Sequence, residues 1–155
     1  MIILCDVDCV VADLMTEWLR LYNNDYSDCL TPENITAWGM EDFVHPHCGT
    51  KIYSYLTLPT LYDNVKPIGG SLEFVQLVRS FNHRVVFVSA GLMSQQKFDW
   101  LSSWGFEPGK NAEDFITAYD KSLIRGSYLI DDRPENVQRF REMLILFRQP
   151  WNDKF

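Results

Sequence analysis

Residues Ile2 to Cys5 are four apolar side chains in a row that run directly into Asp6 and Asp8. An apolar run without polar alternation fits a strand buried on both faces, the kind found in parallel sheets. Carboxylates at the carboxyl end of such a strand lie where strand ends, loops and helix N-termini converge, the edge at which open α/β sheets bind ligands. Asp6 and Asp8 are two apart, so an extended backbone turns both to one side and Val7 to the other. Close carboxylates repel unless a cation or a shared proton offsets them.

The period changes after Asp13. Leu14, Trp18, Leu21 and Tyr22 recur at helical spacing, with Glu17 and Arg20 between them. From Asn23 to Pro67 the chain has short apolar clusters broken by Thr31-Pro32-Glu33, Trp38-Gly39, His45-Pro46-His47 and Leu58-Pro59. This stretch predicts a small helical module inserted after the first strand and covering the strand-end edge. Beyond Gly69-Gly70, a helix through Leu72 to Val78 is followed by a β-branched strand, Arg84 to Val88, that stops at Ser89-Ala90-Gly91. A helix from Ser94 carries Phe98, Leu101 and Trp104 and closes at Gly105. Three further strands follow: Phe115 to Ala118 before Asp120-Lys121, Tyr128 to Ile130 before Asp131-Asp132, and Met143 to Phe147. Strands alternating with helices predict an α/β, Rossmann-like five-stranded parallel sheet flanked by helices. Residues 1–13 and 68–155 would form this core, and residues 14–67 a small helical cap.

A chain of 155 residues with 46% apolar and 14% aromatic side chains can bury one core, which excludes a disordered segment. Its net charge of −7 argues against a nucleic-acid polymer or an anionic membrane surface as partner. No stretch approaches a membrane span and no signal peptide is visible, so a cytoplasmic protein is expected. Cys29, Cys48, His45 and His47 lie at irregular spacing rather than as paired ligands, which speaks against zinc.

Four strands thus end in polar residues along one sheet edge: Asp6 and Asp8, Ser89, Asp120-Lys121, and Asp131-Asp132. Singly, each has a plain structural explanation as a cap, a turn or a solvated side chain. Together they form a chemical set. Clustered carboxylates suit Mg²⁺, a hard cation that keeps positions open for phosphate oxygens. A neighbouring Asp can attack phosphorus, and a hydroxyl and an ammonium offset charge on the transferring group.

The order D-V-D-x-V-x-A-D from Asp6 to Asp13, V-S at Ser89, D-K at Lys121 and L-I-D-D-R-P from Leu129 to Pro134 resembles the haloacid dehalogenase-like phosphatases. Within that superfamily, these motifs and the ending L-F-x-x-P-W-N are similar to the 5′(3′)-deoxyribonucleotidases and their small bacterial and phage relatives. The resemblance implies a Mg²⁺-dependent phosphomonoesterase for nucleoside monophosphates. It makes Asp6 the nucleophile and a metal ligand, and Asp8 the general acid/base and a ligand through its backbone carbonyl. Asp132 would be the third protein ligand, with Asp131 ligating or orienting through water. Ser89, Ala90 and Lys121 would hold the phosphate, although Ala90 replaces a serine common in the nucleotidases. Leu14, Trp38 and Phe43 would meet the sugar or base, with Tyr53 and Tyr55 as further stacking candidates. Cys9 departs from the family's usual glycine, and Tyr119 from an arginine carried by some relatives. A phosphatase for another small phosphomonoester is the alternative; a phospho-accepting signalling domain shares the parts but not their chain order. A homodimer is left open by the sequence.

Overall fold

Five strands form one parallel sheet: β1 (Ile2–Cys5), β2 (Arg84–Ser89), β3 (Phe115–Thr117), β4 (Tyr128–Asp131) and β5 (Met143–Leu146), in the order β3-β2-β1-β4-β5. The computed structural model describes residues 1–111, 114–141 and 143–155. β1 is the central strand, with Cys5 in register with Phe87 on one side and Ile130 on the other. Its unbroken apolar run is explained by that position: Leu4 and Cys5 are buried, with neighbours on both faces and both edges. Chain order reverses between β1 and β4, so the residues after these two strands flank the crevice at the switch point of the sheet.

Side chains alternate across the sheet. Ile3, Cys5, Val85, Phe87 and Ile130 belong to the larger core, shared with helices α1 (Leu14–Tyr26), α2 (Ser71–Ser80) and α3 (Ser94–Ser103). Leu4, Val86, Val88 and Leu129 pack with Phe140 in a smaller one. Each such fully buried aliphatic side chain contributes about 1.5–3 kcal/mol of transfer free energy. A short helix, α4 (Pro134–Arg139), follows Asp131-Asp132, and a tight turn, Pro150–Asn152, follows β5.

Segment 14–67 begins with α1, which Asp13 caps by accepting from Thr16 N. Beyond α1 the expected helices are replaced by 3₁₀ turns at Pro32–Asn34, Met40–Asp42, Gly49–Thr57 and Leu61–Asp63. The reason is local: Pro32, Gly39, Pro46, Gly49 and Pro59 cut the apolar clusters into runs too short for several α-helical turns. The segment's two connections run side by side, with Asp13 N bonded to Lys66 O at 2.8 Å and Ile68 N to Val11 O at 2.9 Å. In α3 the buried face is Lys97, Trp100 and Leu101, whereas Trp104, expected on that face, lies at the helix end and is half exposed. No helix among the described residues is long and apolar enough to cross a membrane.

Candidate active site

The ladder between β1 and β4 extends one residue past β1, where Asp6 N donates to Ile130 O at 2.9 Å, and the loop then closes on itself. Val7 O accepts from the amides of Val11 and Ala12 at 3.0 and 2.9 Å, and Cys9 turns the chain with φ of 60°. That left-handed conformation is the one glycine adopts without strain, so Cys9 makes the turn against its own Cβ. The loop sets Asp6 and Asp8 at the floor of a cavity of about 290 Å³.

Oxygens of Asp6, Asp131 and Asp132 lie within 4.8 Å of one another, and all three residues are buried. It is the one group of three metal-ligating side chains so placed among the described residues, and it contains neither His45, His47 nor any cysteine. Lys121 Nζ stands 2.7 Å from Asp6 Oδ2 and 2.7 Å from Asp131 Oδ2. Asp131, fully buried, also accepts from Arg133 N and Asn136 Nδ2, so its oxygens are occupied by protein donors. Asp132 accepts from Trp151 Nε1 at 2.9 Å. Asp120, one residue before Lys121, caps the Lys121–Leu123 turn by accepting from Ser122 N and stays exposed.

Burial pushes the Asp6 carboxyl up to about 7; Lys121 opposes the shift, and Asp131 and Asp8 add to it. Asp132 is also held well above the carboxylate range, by burial first and then by Asp6 and Asp131. Burial alone would depress Lys121, but the two carboxylates outweigh it and keep the ammonium above its ordinary value. Four carboxylates, Asp6, Asp8, Asp131 and Asp132, face two ammonium groups, Lys97 and Lys121, which leaves a formal excess of two negative charges. A divalent cation matches that excess, and carboxylate oxygens gathered within 4.8 Å of one another are a hard-cation donor set.

The second ammonium was not legible in the motifs. Lys97 Nζ lies 2.6 Å from Asp8 Oδ2 and donates to Ser89 Oγ at 2.8 Å, while Lys97 itself is buried. The available signal was its spacing: Lys97 sits three and four residues before Trp100 and Leu101, on the apolar face of α3. Tyr62, whose hydroxyl donates to the other Asp8 oxygen, was likewise missed. Ser89 ends β2 fully buried behind Lys97 and outside the cavity lining, whereas Ala90 and Lys121 line it. Leu14, Trp38 and Tyr53 also line the cavity. Phe43 and Tyr55 do not: Phe43, at the end of the Met40–Asp42 turn, packs half-buried against the larger core, and the Tyr55 hydroxyl is bonded to Asp25 at 2.6 Å.

A five-stranded parallel sheet with carboxylates after β1 and β4 and a lysine between them defines a haloacid dehalogenase-like hydrolase. Two solved structures share the fold: a protein described as a haloacid dehalogenase-like hydrolase from Bacteroides fragilis, with a TM-score of 0.53 at 13% identity over 89% of this chain and 81% of that one; and one described as a phosphoglycolate phosphatase from Lactobacillus delbrueckii, with a TM-score of 0.57 at 16% identity over 98% and 90%. Among curated relatives, the 5′(3′)-deoxyribonucleotidase of Clostridium acetobutylicum is 32% identical over 92% of this chain and 78% of its own length. That of Bacillus subtilis is 28% identical over 97% and 87%. Residues 1–155 match the family described as "5' nucleotidase, deoxy (Pyrimidine), cytosolic type C protein", and the chain belongs to it, among the phosphoric monoester hydrolases.

Proposed function

We propose that the protein is a Mg²⁺-dependent phosphomonoesterase that dephosphorylates (deoxy)ribonucleoside 5′-monophosphates through an aspartyl-phosphate on Asp6. One observation carries the reading: Asp6, Asp132 and Lys121 converge on the floor of a single cavity whose upper wall is apolar and aromatic. Asp6 and Asp132, with the backbone carbonyl of Asp8, would hold Mg²⁺, and Asp131 would orient the set. Bound there, the ion supplies charge neutralisation to phosphoryl oxygens and to the crowded carboxylates.

An Asp6 oxygen attacks phosphorus and the ester P–O bond breaks, its electron pair leaving on the sugar oxygen, which takes a proton from Asp8. Water then attacks the phosphoryl group, losing its proton to Asp8; the P–O bond to Asp6 breaks and phosphate departs. Lys121 opposes the upward shift of the Asp6 carboxyl and aims it. Lys97, already bonded to Asp8 and Ser89, is placed to be shared with an incoming phosphate next to Ala90. Segment 14–67 acts as the cap. Leu14, Trp38 and Tyr53 form the apolar wall for sugar and base, and Arg133 stands over the Trp38 ring at 5.1 Å. The four cysteines are free, which supports a reducing, cytoplasmic setting.

Phosphate release from a panel of nucleoside monophosphates and sugar phosphates, with Mg²⁺ or with EDTA, tests this on the wild type and Asp6→Asn. The expected result is Mg²⁺-dependent release that favours deoxynucleotides and is lost in the variant. Release that survives Asp6→Asn would overturn the nucleophile, and a preference for sugar phosphates would overturn the substrate.

A further inference from the structure

We infer that Tyr62 is a positioning residue for Asp8, through which the cap orients the general acid/base of the core. The inference rests on the aspartyl-phosphate reading above and adds to it a residue from outside the catalytic motifs.

Asp8 lies on the loop beyond β1, and its side chain is more exposed than those of Asp6 and Asp131, at 26% against 12% and 0%. A carboxylate turns readily about its last bond, so a fixed orientation needs partners on both oxygens. Asp8 has them: Lys97 Nζ on Oδ2 from the core, and the Tyr62 hydroxyl on Oδ1 from the Leu61–Asp63 turn of the inserted segment. Tyr62 is itself held, with its ring buried and edge-on to Trp100 at 6.3 Å and 62°. Trp100 Nε1 donates to Val65 O at 2.9 Å, anchoring the segment three residues beyond Tyr62. Lys97 and Trp100 share one face of α3, so a single helix face grips Asp8 directly and the element carrying Tyr62.

Phenylalanine would fill the same ring space, and only the hydroxyl reaches Asp8. A hydroxyl donates to a carboxylate and accepts from a carboxylic acid, so the contact persists whether or not Asp8 carries the proton it transfers.

The test compares two substrates on wild type and Tyr62→Phe by kcat/KM, which reports phosphoryl transfer to Asp6. A deoxynucleoside 5′-monophosphate needs its leaving oxygen protonated; p-nitrophenyl phosphate does not. The expected loss on the nucleotide is roughly 10–100-fold, within the range supplied by general acid catalysis, and at least about tenfold greater than on p-nitrophenyl phosphate. In an Asp8→Asn background, Tyr62→Phe should cause no further loss, because the group it orients is gone. Equal losses on both substrates, or additive losses in the double variant, would overturn the positioning role and leave Tyr62 as packing. A wild type that hydrolyses neither substrate with Mg²⁺ would overturn the phosphatase reading, and this inference with it.

Discussion

The indole Nε1 of Trp151 donates to Asp132 Oδ2 at 2.9 Å, joining two buried residues nineteen positions apart. Asn152 adds a second tie, from Nδ2 to the Asp132 carbonyl at 2.7 Å and to Phe147 O at 2.8 Å. The turn after β5 is therefore the support for a carboxylate at the end of β4. One Asp132 oxygen is thereby fixed by the protein within the cluster that Asp132 forms with Asp6 and Asp131.

Trp151→Phe keeps the ring and removes the donor, freeing Asp132 to rotate. Mg²⁺ affinity measured calorimetrically should fall about 10–100-fold, the usual cost of losing a partner behind a metal ligand. Unchanged affinity would show that the indole only fills space.

Crowded carboxylates make stability depend on pH in an unusual direction. Asp6 titrates near 7 in the folded protein against an ordinary value of 3.8, and Asp132 is shifted the same way. Below about pH 4 these groups are protonated in both states and contribute nothing. As pH rises from there to about 7, the unfolded chain releases its protons first, the folded state binds more, and stability falls. Metal-free protein should therefore resist urea better at about pH 5.5 than at about pH 7.5, by on the order of 1 kcal/mol or more, and saturating Mg²⁺ should recover the loss.

Trp38 is half exposed, lines the cavity and carries the Arg133 guanidinium over its ring. Under the proposed function its ring would stack on the nucleotide before and during reaction alike. Trp38→Ala should raise KM for a nucleoside monophosphate about 5–20-fold while kcat changes less than about twofold, the signature of uniform binding. A fall in kcat with unchanged KM would place the indole at the reacting centre instead.

Gly126 precedes β4 at a point of close approach: a Cβ there would lie 2.6 Å from Leu4 Cγ. Leu4 is fully buried and packed among Val86, Val88, Leu129 and Phe140, so it has nowhere to retreat. Gly126→Ala should cost about 1–3 kcal/mol in urea unfolding through overpacking, with the carboxylates after β1 and β4 untouched. No loss would mean that the central strands yield more than their burial implies.

Much of the framework was legible in local patterns. β1, β2 and β4 show as unbroken apolar runs because strands covered on both faces have no polar side to display. The meeting of Asp6, Lys121 and Asp132 in space was legible because a parallel sheet brings successive strand ends to one edge whatever the details of packing. The interrupted clusters of segment 14–67 predict short helical pieces, but turns of 3₁₀ type were not foreseen, since proline and glycine limit run length without selecting the hydrogen-bond pattern.

The sequence by itself determined the order of strands and helices along the chain and the carboxylates at the ends of β1 and β4. Only the tertiary structure decided which partners those carboxylates take. Lys97 and Tyr62 reach Asp8 from α3 and from a turn fifty-four residues away, Trp151 reaches Asp132 from beyond β5, and Phe43 packs against the larger core outside the cavity lining. Side-chain periodicity records which face of an element is buried, a property of neighbours within one or two turns. Contact between elements depends on how those faces are packed together, and that information is not carried by any local spacing.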